Sequence, residues 1–327
     1  MSVRSPYRRR FERWAAALLF VLALPAAAAD WPQRPITLVI PYPPGGSTDM
    51  IARQYGELLG RQLGQSVIVE NRPGASTNIG ADWVARAPAD GYTLLFGGNG
   101  LALNRTFGPQ PSFDPDKAFA PVALLARVPF VVAAHPATPY GTPAELMAAA
   151  HKTPGKLTIS SAQLNLYVEL LKKRADIDLL HVPYKGGAQA VTDAIAGQVN
   201  MVFALTPVVL PHIQAGTLKP IAVSSAERVA VLPNVPTFKE SGAPEYVVTV
   251  WYGILAPAGT PPAIVERLAQ ATQTIVHDKD FSDQLTKTGV VLEASTPQGL
   301  ADILAEETAF WRQLAVAVPT LVTDSPR

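Results

Sequence analysis

The stretch from Ile36 to Asp49 constrains this chain most. Ile36-Thr37-Leu38-Val39-Ile40 is a short, β-branched apolar run suited to a buried strand, and the prolines and glycines of Pro41-Tyr42-Pro43-Pro44-Gly45-Gly46 forbid its continuation. Beyond the glycines, Ser47 is placed to cap a helix that carries Ile51, Tyr55, Leu58, Leu59 and Leu63 on one face and ends before Gly64. Strand, glycine turn and helix in that order aim free backbone N–H groups and the positive end of a helix dipole at one point, which suits a carboxylate or a phosphate. A plain strand-to-helix connection has the same local sequence, so this stretch alone leaves both readings open.

Residues 1–29 read as a secretory signal peptide: five arginines precede an apolar run from Trp14 to Leu24, followed by Pro25 and four alanines. The apolar run is too short to span a bilayer, which takes roughly 20 residues. Cleavage is expected after Ala29, where Ala27-Ala28-Ala29 fits the small-x-small rule. Arg8-Arg9-Arg10-Phe11 also resembles a twin-arginine signal, but Tyr7 and Glu12 fit that pattern poorly, and ordinary secretion is preferred. The chain has no cysteine, which excludes disulfides, thiolate metal sites, a thiol nucleophile and a lipidated cysteine at the cleavage point. The leader takes five arginines and one glutamate with it, leaving 22 basic against 25 acidic residues. Nothing in that balance points to nucleic acid.

Nine apolar, β-rich runs follow, at residues 67–69, 93–96, 122–125, 130–133, 157–160, 179–183, 201–205, 221–223 and 247–255, with helical patterns between most of them. This alternation predicts an α/β protein with doubly wound parallel sheets. Threonines precede Pro143, Pro261 and Pro297 at expected helix starts, and Thr142 with Glu145 forms a capping box. Two further polar, glycine-bearing loops, Glu70 to Asn78 and Gly97 to Gly100, leave the ends of predicted strands, and in open α/β sheets that edge is where ligands bind. Enzyme motifs are missing. Gly45-Gly46-Ser47-Thr48-Asp49 is not a nucleophile elbow, Lys185-Gly186-Gly187 has the wrong order for a phosphate-binding P-loop, and the five histidines fall into no metal spacing or nucleophile constellation. No cofactor and no metal are expected.

Seven segments then carry a family resemblance: Trp31 to Ile36, Pro41 to Asp49, Val69 to Ala75, Asn78-Ile-Gly80, Ala89 to Leu95, His181 to Gly186 and Leu255 to Pro261. In this order they resemble the Bug-type solute receptors of tripartite tricarboxylate transporters. The resemblance implies a two-lobed periplasmic binding protein (type II-like), each lobe a mixed sheet flanked by helices and joined by crossing strands. It implies a first lobe of residues 30–130 plus 251–327, a second of 131–250, and a monomer that delivers a small organic anion to membrane permease subunits. A ligand-sensing partner of a signalling receptor would share fold and site; a secreted hydrolase would need a nucleophile and base in contact.

Carried across residue by residue, the family's site falls on Tyr42 as an aromatic wall, on Gly45, Gly46, Ser47 and Thr48 as a first anion loop, on Ser76, Thr77 and Asn78 as a second, and on Gly97 and Asn99 as a third. Tyr184, Lys185 and Gly186 match in the second lobe, where Ser161, Gln163 and Ala204 are further candidates. Two stretches depart from the pattern. The strand ending at Ser161 passes straight into Ala162-Gln163-Leu164-Asn165 where relatives have a glycine- and serine-rich loop with a histidine, and Ala204-Leu205 stands where relatives often carry a polar pair. A buried carboxylate without hydrogen bonds is costly, so this loss of donors leads us to expect a ligand with one carboxylate and a less polar body. Mass spectrometry of the secreted protein checks the leader: the mature chain should begin at Asp30, and an N-terminus near Met1 would refute the reading.

Overall fold

The computed structural model describes residues 31–162, 165–184 and 186–317. The expected signal peptide, Gln163 and Lys185 lie outside the described residues. The chain is an α/β protein in which ten strands form one curled, mixed sheet in the order β2-β1-β3-β9-β4-β7-β5-β6, with β10 and β8 also on β4. The strands are β1 (Ile36–Ile40), β2 (Val67–Asn71), β3 (Thr93–Gly98), β4 (Phe119–Ala134), β5 (Thr158–Ala162), β6 (Leu180–Tyr184), β7 (Met201–Leu205), β8 (Lys219–Val223), β9 (Thr249–Pro257) and β10 (Val291–Leu292). The helices are α1 (Ser47–Leu63), α2 (Asn78–Ala85), α3 (Gly100–Leu103), α4 (Pro143–Lys152), α5 (Asn165–Arg174), α6 (Gly187–Ile195), α7 (Thr206–Gln214), α8 (Pro262–Val276), α9 (Lys279–Thr286) and α10 (Pro297–Ala317).

Every predicted apolar run is a strand, but the runs at 122–125 and 130–133 belong to the single 16-residue β4. The two runs join because Val128, Phe130 and their neighbours are buried, and Pro129 sits within the ladder opposite Thr249. The parallel expectation holds for β2-β1-β3 and for β6-β5-β7, where helical crossovers join the strands. It fails in the middle, where β9 runs antiparallel to both β3 and β4.

β4 changes partners along its length. Phe119 to Pro129 pair with β9, whereas Phe130 to Ala134 pair with β7. The apolar core divides at the same place: Ile36, Leu38, Ile40, Tyr55 and Leu268 form one cluster, and Phe130, Tyr167, Phe203 and Tyr246 another. Helix α10 does not respect this division, although the sequence reading put all of 251–327 in one lobe. Its Leu300 packs beside Val39, Leu95 and Trp251, while Trp311 and Leu314 pack with Phe130 and Tyr167 of the other cluster.

Local chemistry explains the elements that place the site. β1 is apolar throughout because it is covered on both faces, Leu38 and Ile40 in one cluster and Val39 in another. α1 buries Ile51, Ala52, Tyr55, Leu59 and Leu63, and Gly64 closes it at φ 71°. The Thr142/Glu145 capping box forms as expected, and Thr296 Oγ1 accepts from Gly299 N–H at 3.1 Å to cap α10. Thr260 departs: its hydroxyl donates to the Pro257 carbonyl at 2.7 Å, so α8 begins one residue late, at Pro262.

Phe130 stacks on Phe203 with ring centroids 4.6 Å apart and tilts against Tyr167 at 5.2 Å, just where β4 changes partner. Phe130→Ala should therefore destabilise the protein by about 3–5 kcal/mol, read as a lowered urea midpoint; a change below about 1 kcal/mol would refute this account of the β4 core.

Candidate functional site

Three loops meet at the carboxyl ends of β1, β2 and β3. The first is Pro41 to Gly46. Gly45 takes φ 86°, a left-handed value that favours glycine, and its N–H donates to Asp49 Oδ2 at 3.0 Å. Asp49, not Ser47, thus closes this turn: Gly46 is the N-cap, and its residue's neighbour Ser47 is already helical. Asp49 is buried and also accepts from Arg53 Nε at 3.0 Å and Asn71 Nδ2 at 2.8 Å. Asn71, at the end of β2, reaches on to the Tyr42 carbonyl at 3.1 Å, so one amide fixes both ends of the loop. Gly46 lies at φ −84° and an added Cβ there would meet nothing within 4 Å. The loop is therefore open at Gly46, and the first-turn N–H groups of Ser47 and Thr48 have no intrahelical acceptor.

The second loop is strained. Gly74, Ala75, Ser76 and Thr77 all have positive φ, at 126°, 45°, 51° and 83°. Such residues cost of order 1–3 kcal/mol each and persist where the surroundings over-determine them. Here Asn104 does so, its Nδ2 donating to the Ser76 carbonyl and to Asn78 Oδ1, while Asn78 Nδ2 donates to the Pro109 carbonyl at 2.7 Å. The Asn78 side chain, expected to meet ligand, is thus engaged in holding its loop. The third loop packs directly on the other two. A Cβ on Gly100 would lie 2.5 Å from Thr77 Oγ1, and one on Gly98 would lie 3.2 Å from Tyr42 Oη.

Tyr252 Oη and Thr48 Oγ1 are 2.7 Å apart, tying β9 to the first helical turn. Burial, then Tyr252 and Glu307, push the Tyr42 pKa far up, so its phenol stays protonated. Asn99 was expected to offer an amide to ligand, but its side chain is committed. Its Nδ2 donates to the Thr249 carbonyl at 3.0 Å and to Glu307 Oε1 at 2.6 Å, and its Oδ1 accepts from Trp251 N–H at 2.8 Å.

The second half of the chain offers fewer free groups. Ser161 is fully buried, 2.7 Å from His181 Nε2, a serine–histidine contact that sequence spacing did not reveal. Burial, then Lys172, hold the His181 pKa down at about 4. Tyr184 Oη donates to Asp193 Oδ2 at 2.5 Å, Thr206 Oγ1 donates to the Pro129 carbonyl at 2.8 Å, and Ala204 pairs with Val131 inside the sheet. Gly186 is exposed at the N-cap of α6 with nothing within 4 Å of an added Cβ. Asn71, Asn104 and Tyr252 are the residues missed from sequence, with no local signal to find them; Asp49, which the sequence places in the first turn of α1 as a helix-stabilising residue outside the anion site, proves also to shape the first loop.

Burial alone would raise the Asp49 pKa, but hydrogen bonds from Arg53, Gly45 and Asn71 prevail and hold it below the usual value of 3.8. A folded-state pKa lowered in this way stabilises above the unfolded value, and the contribution is lost as pH falls through the folded one. Asp49→Ala should cost about 1–3 kcal/mol at neutral pH, and the difference from wild type should shrink on acidification below about pH 4; equal stabilities at neutral pH in urea titrations would refute the role.

The comparisons with known proteins give the family. Residues 51–318 match the model of the tripartite tricarboxylate transporter family receptor. The chain is 38% identical over 291 residues to a protein in the tcbD-tcbE intergenic region of Pseudomonas sp. (strain P51), covering 88% of this chain and 87% of that one. It is 33% identical to protein BugT of Bordetella pertussis (strain Tohama I), covering 89% and 91%. Among solved structures, Rpa4515 of R. palustris with adipate superposes with a TM-score of 0.79 at 33% identity, covering 91% of this chain and all of that one. MatC of Rhodopseudomonas palustris with bound malate gives 0.74 at 30% identity, covering 86% and 99%. With three loops at one sheet edge, a family model spanning most of the chain and relatives matched nearly end to end, this protein belongs to the tripartite tricarboxylate transporter receptor family, of the Bug type.

Proposed function

We propose that the protein is a periplasmic receptor that captures one small organic carboxylate between its two halves and hands it to the permease subunits of a tripartite tricarboxylate-type transporter. The observation that carries this is the convergence of the Gly45, Ser76 and Gly98 loops at one edge, with the N–H groups of α1 unspent and strained backbone held in place beside them. Backbone N–H groups bind a carboxylate through charge-assisted hydrogen bonds and need no catalytic side chain. Export by residues 1–29, a monomeric chain, and lobes of 30–130 plus 251–327 and 131–250 that close over ligand complete the reading. Closure is favoured to the extent that bound anion touches the second lobe. The site comprises Tyr42, Gly45 to Thr48, Ser76 and Thr77, with Gly186 facing from α6. A hydrolase is disfavoured, because Ser161, the serine in contact with His181, is fully buried and keeps its hydroxyl out of a substrate's reach.

Specificity follows from the second half. Rpa4515 and MatC hold dicarboxylates, whereas this chain spends the hydroxyls of Ser161, Tyr184 and Thr206 internally and has Ala204 in its sheet. A second buried carboxylate would lack those partners, which favours an aromatic or branched monocarboxylate over citrate.

A thermal-shift panel of citrate, succinate, glutamate, nicotinate, benzoate-type acids and branched keto acids tests both levels. Ligand at 100 times its Kd adds about 2.7 kcal/mol, so the monocarboxylates should raise Tm. A shift by di- and tricarboxylates alone would overturn the specificity, and no shift by any organic acid in a wide panel would overturn the receptor. Gly46→Val places its side chain in open space, so the variant should fold and bind about tenfold more weakly or worse; unchanged affinity by calorimetry would remove the first loop from the site.

A further inference from the structure

Glu307 lies midway along α10, the helix that packs on both halves of the protein. The residue is only partly buried, yet its carboxylate has three donors from three elements. Oε1 accepts from Asn99 Nδ2 at 2.6 Å and from Trp311 Nε1 at 3.3 Å, and Oε2 accepts from Trp251 Nε1 at 2.5 Å. Asn99 belongs to the third loop, Trp251 to β9, and Trp311 to the part of α10 that packs with the second core. One carboxylate therefore joins the ligand-facing loop, a strand at the centre of the sheet and the helix that bridges the two halves.

The charges facing it are few. A cavity of about 260 Å³ beside it is lined by Arg127 of β4, Glu306 of α10 and Tyr167 of α5 among others, and Arg127 is already paired with Glu293 at 2.8 Å. Tyr42 of the first loop also lies within its field. Among the described residues, no lysine or histidine lines that cavity.

We propose that Glu307 is a positioning residue for ligand capture: by accepting from Asn99, Trp251 and Trp311 together it sets the third loop against the first two and links that loop to the helix bridging both halves. The inference rests on the receptor reading. Protonation would remove the charge that strengthens all three bonds and leave one N–H group facing a hydroxyl oxygen, a poorer acceptor that also needs an acceptor of its own. Desolvation, opposed by the three hydrogen bonds and by Arg127, leaves the Glu307 pKa above its usual value. Acidification should therefore release the loop before ordinary glutamates titrate.

The test measures affinity for the tightest acid of the panel by calorimetry between about pH 8 and about pH 4, in wild type, Glu307→Gln and the neighbouring control Glu306→Gln. Wild type and the control should weaken together toward low pH. Glu307→Gln should bind about tenfold or more weakly at neutral pH and show only the residual slope that ligand titration contributes. Tryptophan emission of the ligand-free protein gives a readout without ligand: wild type should shift with pH as the Trp251 and Trp311 donors lose their acceptor, and Glu307→Gln should not. Wild-type affinity and pH profile in Glu307→Gln would overturn the proposal. If that variant does not fold, wild-type emission that stays constant across the range overturns it equally. Failure of every organic acid to bind wild type would count against the receptor reading, while the emission titration still decides the role of Glu307.

Discussion

The antiparallel ladder between β4 and β9 is the constraint on which the rest depends. Over Phe119 to Pro129 every other element of the first half is placed by it, since β3 lies against β9 and carries β1 and β2 outward in turn. The next residue of β4, Phe130, begins the ladder of the second half. A single continuous strand thus carries the ladders of both halves of the sheet, and the apolar run that fills it has to satisfy two cores. This explains why Val122 to Ala126 and Phe130 to Ala134 are almost wholly without exposed surface. The pairing changes at Pro129 and Thr249, which is where the proposed closure of the two halves would have to bend the chain.

The site divides its chemistry unevenly. In the first half, side chains are used to build backbone: Asp49, Asn71, Asn78 and Asn104 spend their polar atoms shaping loops, and the loops then present N–H groups. Such donors are fixed before ligand arrives, so little ordering cost remains at binding. In the second half the comparable hydroxyls turn inward, toward His181, Asp193 and the Pro129 carbonyl. On the proposed reading, one half supplies a preorganised anion site and the other mostly shape. Discrimination among acids then depends on which ligand atoms the second half leaves without a partner.

Short-range patterns were legible in the sequence. β1, the glycine turn and α1 follow from an apolar run, three prolines, two glycines and a helical stripe, because all the forces involved act within a few residues. The strands, the Thr142 capping box and the glycine-bearing loops after β2 and β3 were legible for the same reason, and the ordered motifs carried the family. The sequence also determined which backbone would be free, since Gly46 and the first residues of a helix have no acceptors of their own. Tertiary structure alone decided what each polar side chain does. Asn99 and Glu307 are 208 residues apart, Ser161 and His181 are 20 apart, and Thr206 and Pro129 are 77 apart. No local period brings such pairs together; sheet order and helix packing do. An amide that looks free in a loop is free only if the fold brings it no buried acceptor, and here the antiparallel placement of β9 and the course of α10 across both cores brought Asn99 both the Thr249 carbonyl and Glu307.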